Sequence, residues 1–135
     1  MSTAPWFADT FFFLALLNAG DGSHRRALSL CDADVPIVTS EFVLIEVADG
    51  VSRTHGRSRV AGLFREMNTA DGIKVVPCSS SLFKQGLDLY ARRRDKEWSL
   101  TDCTSFVIME EFGLEEALTG DRHFVQAGFQ ALLLN

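Results

Sequence analysis

Apolar runs of strand length alternate along this chain with longer segments of helical length, and this alternation limits the possible folds more than any other feature. The predicted strands are Pro5 to Ala8, Pro36 to Val38, Ile73 to Val76, Ala117 to Thr119 and Ala131 to Leu134. The predicted helices are Thr10 to Asn18, Ser23 to Cys31, Glu41 to Arg53, Arg57 to Asn68, Ser80 to Arg93, Thr101 to Phe112 and a short turn from Arg122 to Ala127. Strands separated by helices need right-handed crossover connections, so we expect a mainly parallel sheet.

The strand segments are continuously apolar, which is typical of a sheet that helices cover on both faces. We therefore predict an α/β fold, a three-layer α/β/α sandwich. The 135 residues fit one domain, and a hydrophobic content of 47% is sufficient for a core. The sequence contains no repeat and no Pro- or Ser-rich linker, so we expect a single domain over residues 1–135.

Membrane insertion and export are both disfavoured by the sequence. The apolar stretch from Phe11 to Leu17 is too short to cross a bilayer, and Asp9 interrupts what would be the hydrophobic region of a signal peptide. A cytoplasmic protein is expected. Three widely spaced cysteines without a C-x-x-C pair argue against a disulfide framework and against a structural zinc site.

The net charge of −5 argues at first against a nucleic-acid partner, because phosphate contacts need Lys and Arg. The basic residues are grouped, however. The groups are His24 with Arg25 and Arg26, then Arg53, His55, Arg57 and Arg59, and finally Arg92, Arg93 and Arg94, here called the arginine cluster. Solvated helix ends explain such groups equally well, since cations favour helix C-termini.

Three acids stand at points where the predicted strands and helices meet. Asp9 ends the first strand, Asp121 follows the fourth after Gly120, and Asp102 opens the helix that leads into the fourth strand. Ligands of open α/β sheets bind beyond the carboxyl ends of the strands, so these acids are expected to meet there. Each also has a structural explanation. Asp9 and Asp121 suit the N-cap of the following helix, and Ser99 to Asp102 fits a capping box with Asp in place of Glu.

Glu46 has no such explanation from its own helix. Its neighbours three and four positions away are Phe42, Val43, Asp49 and Gly50, so no cation lies within reach along the helix. Glu46 is either a lone polar residue at the margin of the buried face or a group with a partner elsewhere in the fold.

Together the acids would form an anionic cup. Helix N-termini carry a partial positive charge, which keeps crowded carboxylates ionised. Like charges about 4 Å apart still repel by several kcal/mol at an effective dielectric constant near 20, so the cup needs a cation. Mg2+ and Mn2+ suit carboxylate oxygens and can activate water for attack on a phosphodiester. The sequence therefore predicts that Asp9, Glu46, Asp102 and Asp121 are metal ligands and catalytic residues.

Four stretches of the chain resemble the PIN domain family, and within it the VapC-like ribonucleases that often act as toxins. The stretches are Phe7 to Thr10, Thr39 to Glu46, Ser99 to Phe106 and Leu118 to Phe124. The strings S-L-T-D-C-x-S-F and T-x-D-x-H-F are fairly specific, whereas a strand ending in Asp-Thr is weak alone. The resemblance covers nearly the whole chain. It implies an endoribonuclease specific for single-stranded RNA, with the four acids holding one or two Mg2+ or Mn2+ ions.

The resemblance also implies a homodimer and, for a toxin, an antitoxin protein as partner. Thr10 and Thr119 are implied to help place metal-bound water or phosphate. We further predict that the arginine cluster, which precedes Asp102 in sequence, holds RNA phosphates and steers the strand towards the acids. Asp95 is a candidate to support the site from outside, although three adjacent cations explain it equally well.

Two other enzyme or signalling classes fit less well. A phosphatase of the haloacid-dehalogenase type needs a second Asp two residues after the first, where this chain has Phe11. A phospho-receiver domain needs an acceptor Asp after the third strand, which here runs into Pro77 and Cys78. The remaining alternative is a PIN-like module that binds RNA or protein without cutting, because a fold does not settle function.

Overall fold

The computed structural model describes residues 4–52 and 56–134, and five strands and seven helices lie within them. The strands are β1 (Trp6–Ala8), β2 (Ile37–Ser40), β3 (Ile73–Val76), β4 (Glu116–Leu118) and β5 (Gln130–Ala131). The helices are α1 (Thr10–Leu17), α2 (His24–Cys31), α3 (Glu41–Gly50), α4 (Arg57–Thr69), α5 (Ser80–Arg92), α6 (Leu100–Phe112) and α7 (Arg122–Gln126). Arg53 and His55, with the predicted end of the third helix, lie outside the described residues.

All strand pairs in the sheet are parallel, and the strand order is β3-β2-β1-β4-β5. Phe7 and Ala8 in β1, like Ala117 and Leu118 in β4, are fully buried. Successive strand residues point to opposite faces, so both faces of the sheet are covered. The predicted α/β sandwich with a parallel central sheet is confirmed.

The core beneath the starts of α6 and α7 is aromatic. Phe106 packs edge-on against Trp98 and against Phe124, with ring centroids 4.9 Å apart in each pair. Phe124 also contacts Phe7 of β1, at 6.4 Å between centroids. These contacts fix the first turns of two helices against the central strand, and the candidate site is built on those turns.

The predicted element boundaries agree with the structure to within one or two residues, except at the ends of α3 and β5, which each come three residues early. β2 continues to Ser40, whose hydroxyl oxygen then caps α3 by accepting from the N–H of Val43. The predicted final strand, Ala131 to Leu134, is wrong in extent, because β5 ends at Ala131. The chain turns there, with the Leu134 N–H donating to the Ala131 carbonyl at 3.4 Å.

Across the described ranges, the helices are too short or too polar for any of them to cross a lipid bilayer.

Candidate active site

The register between β1 and β4 places Asp9 beside Thr119. Phe7 lies opposite Ala117 and Ala8 opposite Leu118, so the next residues of the two strands are neighbours. The Thr119 hydroxyl donates to Oδ2 of Asp9 at 2.8 Å. The sheet order also reverses between β1 and β4, since β2 and β3 extend to one side and β5 to the other. The pair therefore lies at a topological switch point, where ligands of parallel α/β sheets bind.

Asp9 is only 3% exposed, and its carboxylate makes no capping hydrogen bond to α1. The capping interpretation of this residue is therefore wrong. The pKa of Asp9 is raised to about 7, mainly by burial and in smaller part by the charges of Asp102 and Glu46, while hydrogen bonds from the Thr119 hydroxyl and the Thr10 backbone oppose the shift. The structure thus brings these three acids close enough to interact electrostatically.

Glu46 is half-buried on α3, and its Oε1 accepts a hydrogen bond from the Thr10 hydroxyl. Thr10 directly follows Asp9 and begins α1. Because α3 begins immediately after β2, its second turn can reach the start of α1 across the edge of the sheet. Glu46 therefore has a partner from another element and is not a lone polar residue.

Asp102 and Asp121 both cap helices, as predicted. The Asp102 side chain and Ser99 form a capping box at the start of α6. Oδ1 of Asp121 accepts from the His123 N–H at 2.9 Å at the start of α7. Nδ1 of His123 lies 2.9 Å from Oδ2 of Asp102 and 3.4 Å from Oδ1 of Asp121, so one imidazole connects both acids.

Thr119 and Gly120 complete the connection between β4 and α7. The Thr119 hydroxyl, besides donating to Asp9, accepts from the Asp121 N–H at 3.0 Å. A Cβ on Gly120 would lie 2.5 Å from Cζ of Phe11, so a larger residue here would force the Phe11 ring to shift. The four predicted acids are thus joined through Thr119, His123 and the electrostatic contacts of Asp9.

The donor set fits a hard divalent cation. Carboxylate oxygens dominate it, and ligand atoms of Asp102, Asp121 and His123 lie within 4.8 Å of one another, a group that does not include Asp9 or Glu46. Within the described ranges, no Lys or Arg forms an ion pair with any of the four acids. A buried carboxylate beside other carboxylates is stabilised by a cation, which no Lys or Arg in the described part of the chain supplies here.

The arginine cluster is partly engaged by neighbouring acids. Arg92 pairs with Asp88, and Arg93 pairs with Asp95 through two hydrogen bonds of 3.0 Å while it stacks 4.9 Å above the Trp98 ring. Hydrogen bonding to Arg93 lowers the pKa of the exposed Asp95 to about 2. The structure therefore favours the ion-pair interpretation of Asp95. Arg92 and Arg93 line a cleft of about 540 Å³ that none of the four acids lines.

His123 is the site residue that sequence reasoning placed only in part. In the sequence it stands out only as the His of the T-x-D-x-H-F string. Its contact with Asp102 joins residues 21 positions apart on different helices, and no periodicity in the sequence reports such a contact.

Fold and site together place the chain among α/β proteins with an acidic cluster at the switch point of a parallel sheet. The chain belongs to the PIN domain family, whose model matches residues 7–130. It is 35% identical over 125 residues to the 23S rRNA-specific endonuclease VapC20 of Mycobacterium tuberculosis, covering 91% of this chain and 94% of that relative.

Solved structures agree with this assignment. The crystal structure of Mycobacterium tuberculosis VapC20, described as a sarcin-ricin loop cleaving toxin, matches with a TM-score of 0.81 and 32% identity over 91% of this chain and 95% of that one. FitAcB from Neisseria gonorrhoeae matches with a TM-score of 0.62 and 16% identity over 93% and 94% of the two chains, which shows the shared fold alone.

Proposed function

We propose that this protein is an endoribonuclease that hydrolyses RNA phosphodiester bonds with the help of one or two Mg2+ or Mn2+ ions, and that it is the toxin of a toxin–antitoxin pair. The observation that carries the proposal is a set of four linked carboxylates at the carboxyl edge of the sheet, in which Asp9 interacts with Glu46 and Asp102, and Asp102 lies beside Asp121 around His123. They are Asp9 after β1, Glu46 on α3, Asp102 on α6 and Asp121 before α7. The relative named as a 23S rRNA-specific endonuclease supports RNA as the substrate.

Each side chain has a defined part in this proposal. The four acids hold the cation, which when bound neutralises their charge, activates a water molecule and stabilises the leaving oxygen. The Thr119 hydroxyl keeps Oδ2 of Asp9 in place, and the Thr10 hydroxyl does the same for Glu46. Both threonines thus fix the orientation of acids that would otherwise repel each other.

The proposed partners follow from the same assignment. Ribosomal RNA, in a single-stranded or loop region, is the proposed substrate. A cognate antitoxin and a second copy of this chain are the proposed protein partners, and the cytoplasm is the proposed place of action.

The first prediction is that cleavage requires a divalent cation and Glu46. Labelled 23S rRNA, a sarcin–ricin loop hairpin and an unstructured oligonucleotide are incubated with the protein in EDTA, Mg2+ or Mn2+. Cleavage should be absent in EDTA and restored by either ion. Glu46→Gln keeps an oxygen for the Thr10 hydroxyl but loses a charge. It should lower the cleavage rate by more than about 100-fold, beyond the effect typical of residues that only support a ligand.

Glu66→Gln, an exposed position on α4, is the matched control and should cleave like the parent protein. Full cleavage in EDTA would contradict the metal mechanism. RNA binding without cleavage under every condition would instead favour a non-catalytic module.

A further inference from the structure

His123 holds a position between two of the proposed metal ligands that the proposed function does not yet use. Its Nδ1 lies 2.9 Å from Oδ2 of Asp102, and its own N–H donates to Asp121. The side chain is 29% exposed, and the next residue, Phe124, is fully buried against Phe106. The ring is therefore anchored from its own backbone and from the core beneath it.

The hydrogen bonds to Asp102 are distributed unevenly between its two oxygens. Oδ2 accepts from the Ser99 N–H at 3.1 Å and faces Nδ1 of His123, and no described residue donates a hydrogen bond to Oδ1. An ionised carboxylate can only accept, so the ring nitrogen that faces it carries the proton. Two donors thus fix Oδ2 from two helices, and Oδ1 is the oxygen that remains for a cation.

We propose that His123 is a positioning residue, whose Nδ1–H holds Asp102 in the orientation that presents Oδ1 to the divalent cation. The same contact connects the start of α7, with Asp121, to the start of α6. The inference rests on the proposed metal-dependent function. Carboxylates that bind metals are commonly oriented by hydrogen bonds from neighbouring groups, and losing such a partner typically weakens metal affinity by about 10- to 100-fold.

Two substitutions separate this role from direct ligation. His123→Asn places an amide nitrogen where Nδ1 stands and preserves the donor to Asp102. His123→Gln moves the amide group farther out and loses that donor. The affinity for Mn2+ is measured from the electron paramagnetic resonance signal of free Mn2+ in a titration, and the Mn2+-induced shift in melting temperature is recorded on the same samples.

We expect His123→Asn to bind Mn2+ within about threefold of the parent protein, and His123→Gln to bind about 10- to 100-fold more weakly. His24→Gln is the matched control, because Nδ1 of His24 faces the Ala15 carbonyl at 2.7 Å, outside the acidic cluster. It should bind Mn2+ like the parent protein. Electron spin echo modulation of the bound Mn2+ should show no directly coordinated nitrogen, and this measurement needs no variant to fold.

The outcomes distinguish the two proposals. A parent protein that leaves the free Mn2+ signal unchanged would overturn both the metal-dependent function and the role of His123. A parent protein that binds Mn2+, together with equal binding by His123→Gln, would overturn only the positioning role. A nitrogen coupling to Mn2+ that disappears in 15N-histidine-labelled protein would show that His123 is a ligand, and would overturn it as well.

Discussion

Among single residues, Asp9 is the one through which the proposed cation would act most directly on the stability of the fold. Its pKa is raised from 3.8 to about 7, mainly by burial. A group whose pKa is higher in the folded than in the unfolded state stabilises the fold below the unfolded value and loses that contribution as the pH rises. The metal-free protein should therefore lose stability between about pH 4 and pH 7, because Asp9 is ionised in the unfolded chain over this range while it stays protonated in the folded protein.

The second prediction is that Asp9→Asn removes this pH dependence. The Thr119 hydroxyl can still donate to the amide oxygen, so only the charge is lost. In EDTA above pH 7 the variant should be more stable than the parent, by on the order of a few kcal/mol. In excess Mn2+ the order should reverse, because binding stabilises the parent in proportion to RT ln(1 + [L]/Kd). Chemical denaturation at several pH values measures both effects.

Asp71→Asn removes the same charge from an exposed turn and should leave the pH dependence unchanged. Parallel stability profiles of the parent and Asp9→Asn from pH 4 to pH 8 would contradict the assigned electrostatics.

Contacts of the site between near neighbours in the chain were predictable from the sequence, and contacts between distant residues were not. The capping interpretations of Asp102 and Asp121 are confirmed, because a cap depends on residues only two or three positions away. The same interpretation is wrong for Asp9, whose carboxylate bonds to a hydroxyl 110 residues later. The hydrogen-bond partner of Glu46 could not be predicted from nearby residues either, since Thr10 belongs to another helix.

Among the elements, α5 and α6 form a close pair, and Gly86 marks their closest approach. A Cβ on Gly86 would lie 2.6 Å from Cγ2 of Thr104 and 3.3 Å from its Cα and N. Thr104 cannot easily rotate away, since its hydroxyl donates to the Thr101 carbonyl at 2.7 Å. The pair carries Asp102 at one end, so the spacing of these helices also fixes one wall of the site.

The third prediction concerns this spacing. Gly86→Ala should destabilise the protein by roughly 1–3 kcal/mol, because the added methyl group overpacks a tight helix interface. Gly62→Ala is the matched control on α4, where a Cβ would meet nothing within 4 Å. That change should stabilise by about 0.5–1 kcal/mol through helix propensity. Thermal melts of the two variants measure the contrast, and similar effects at both positions would contradict the close approach.

Helices were predictable because their own residues define them, whereas the extent of a strand also depends on its pairing with a neighbouring strand. The predicted helices agree with the structure within one or two residues, except that α3 ends at Gly50 and not at Arg53, because caps and apolar patterns are local signals. The apolar run Ala131 to Leu134 suggested a longer strand than β5, in which Gln130 and Ala131 pair with β4. The N–H groups of Leu132 and Leu133 still donate to the carbonyls of Ala117 and Thr119 as the chain turns. A short apolar run reports burial, and burial in a turn against the core looks the same in sequence.

At the scale of the whole molecule, a net charge of −5 opposes the approach of RNA, so binding depends on where the cations lie. Within the arginine cluster, Arg92 and Arg93 are paired with Asp88 and Asp95. Arg94 is exposed and forms no ion pair with any described residue. Arg94 therefore offers an uncompensated charge near the start of α6, where Asp102 stands.

The last prediction is that RNA docking depends on this cluster, and on Arg94 most. Replacing all three arginines with Gln should weaken the binding of single-stranded RNA at low salt. Arg94→Gln alone should reduce the slope of log K against log salt by about 0.7, because one phosphate contact on a single strand contributes that amount. Arg65→Gln is the matched control, because α4 packs against β3, at the sheet edge opposite the cleft beside β5. Affinities are measured in EDTA by fluorescence anisotropy over a range of salt concentrations, so that binding is followed without cleavage.

A triple variant with the same salt slope as the parent protein would show that the arginines are only solvated residues at a helix end. An equal loss of RNA affinity from Arg65→Gln would indicate attraction by net charge alone. Weaker binding confined to the cluster would show that this acidic protein guides RNA towards its carboxylates with a few locally placed cations.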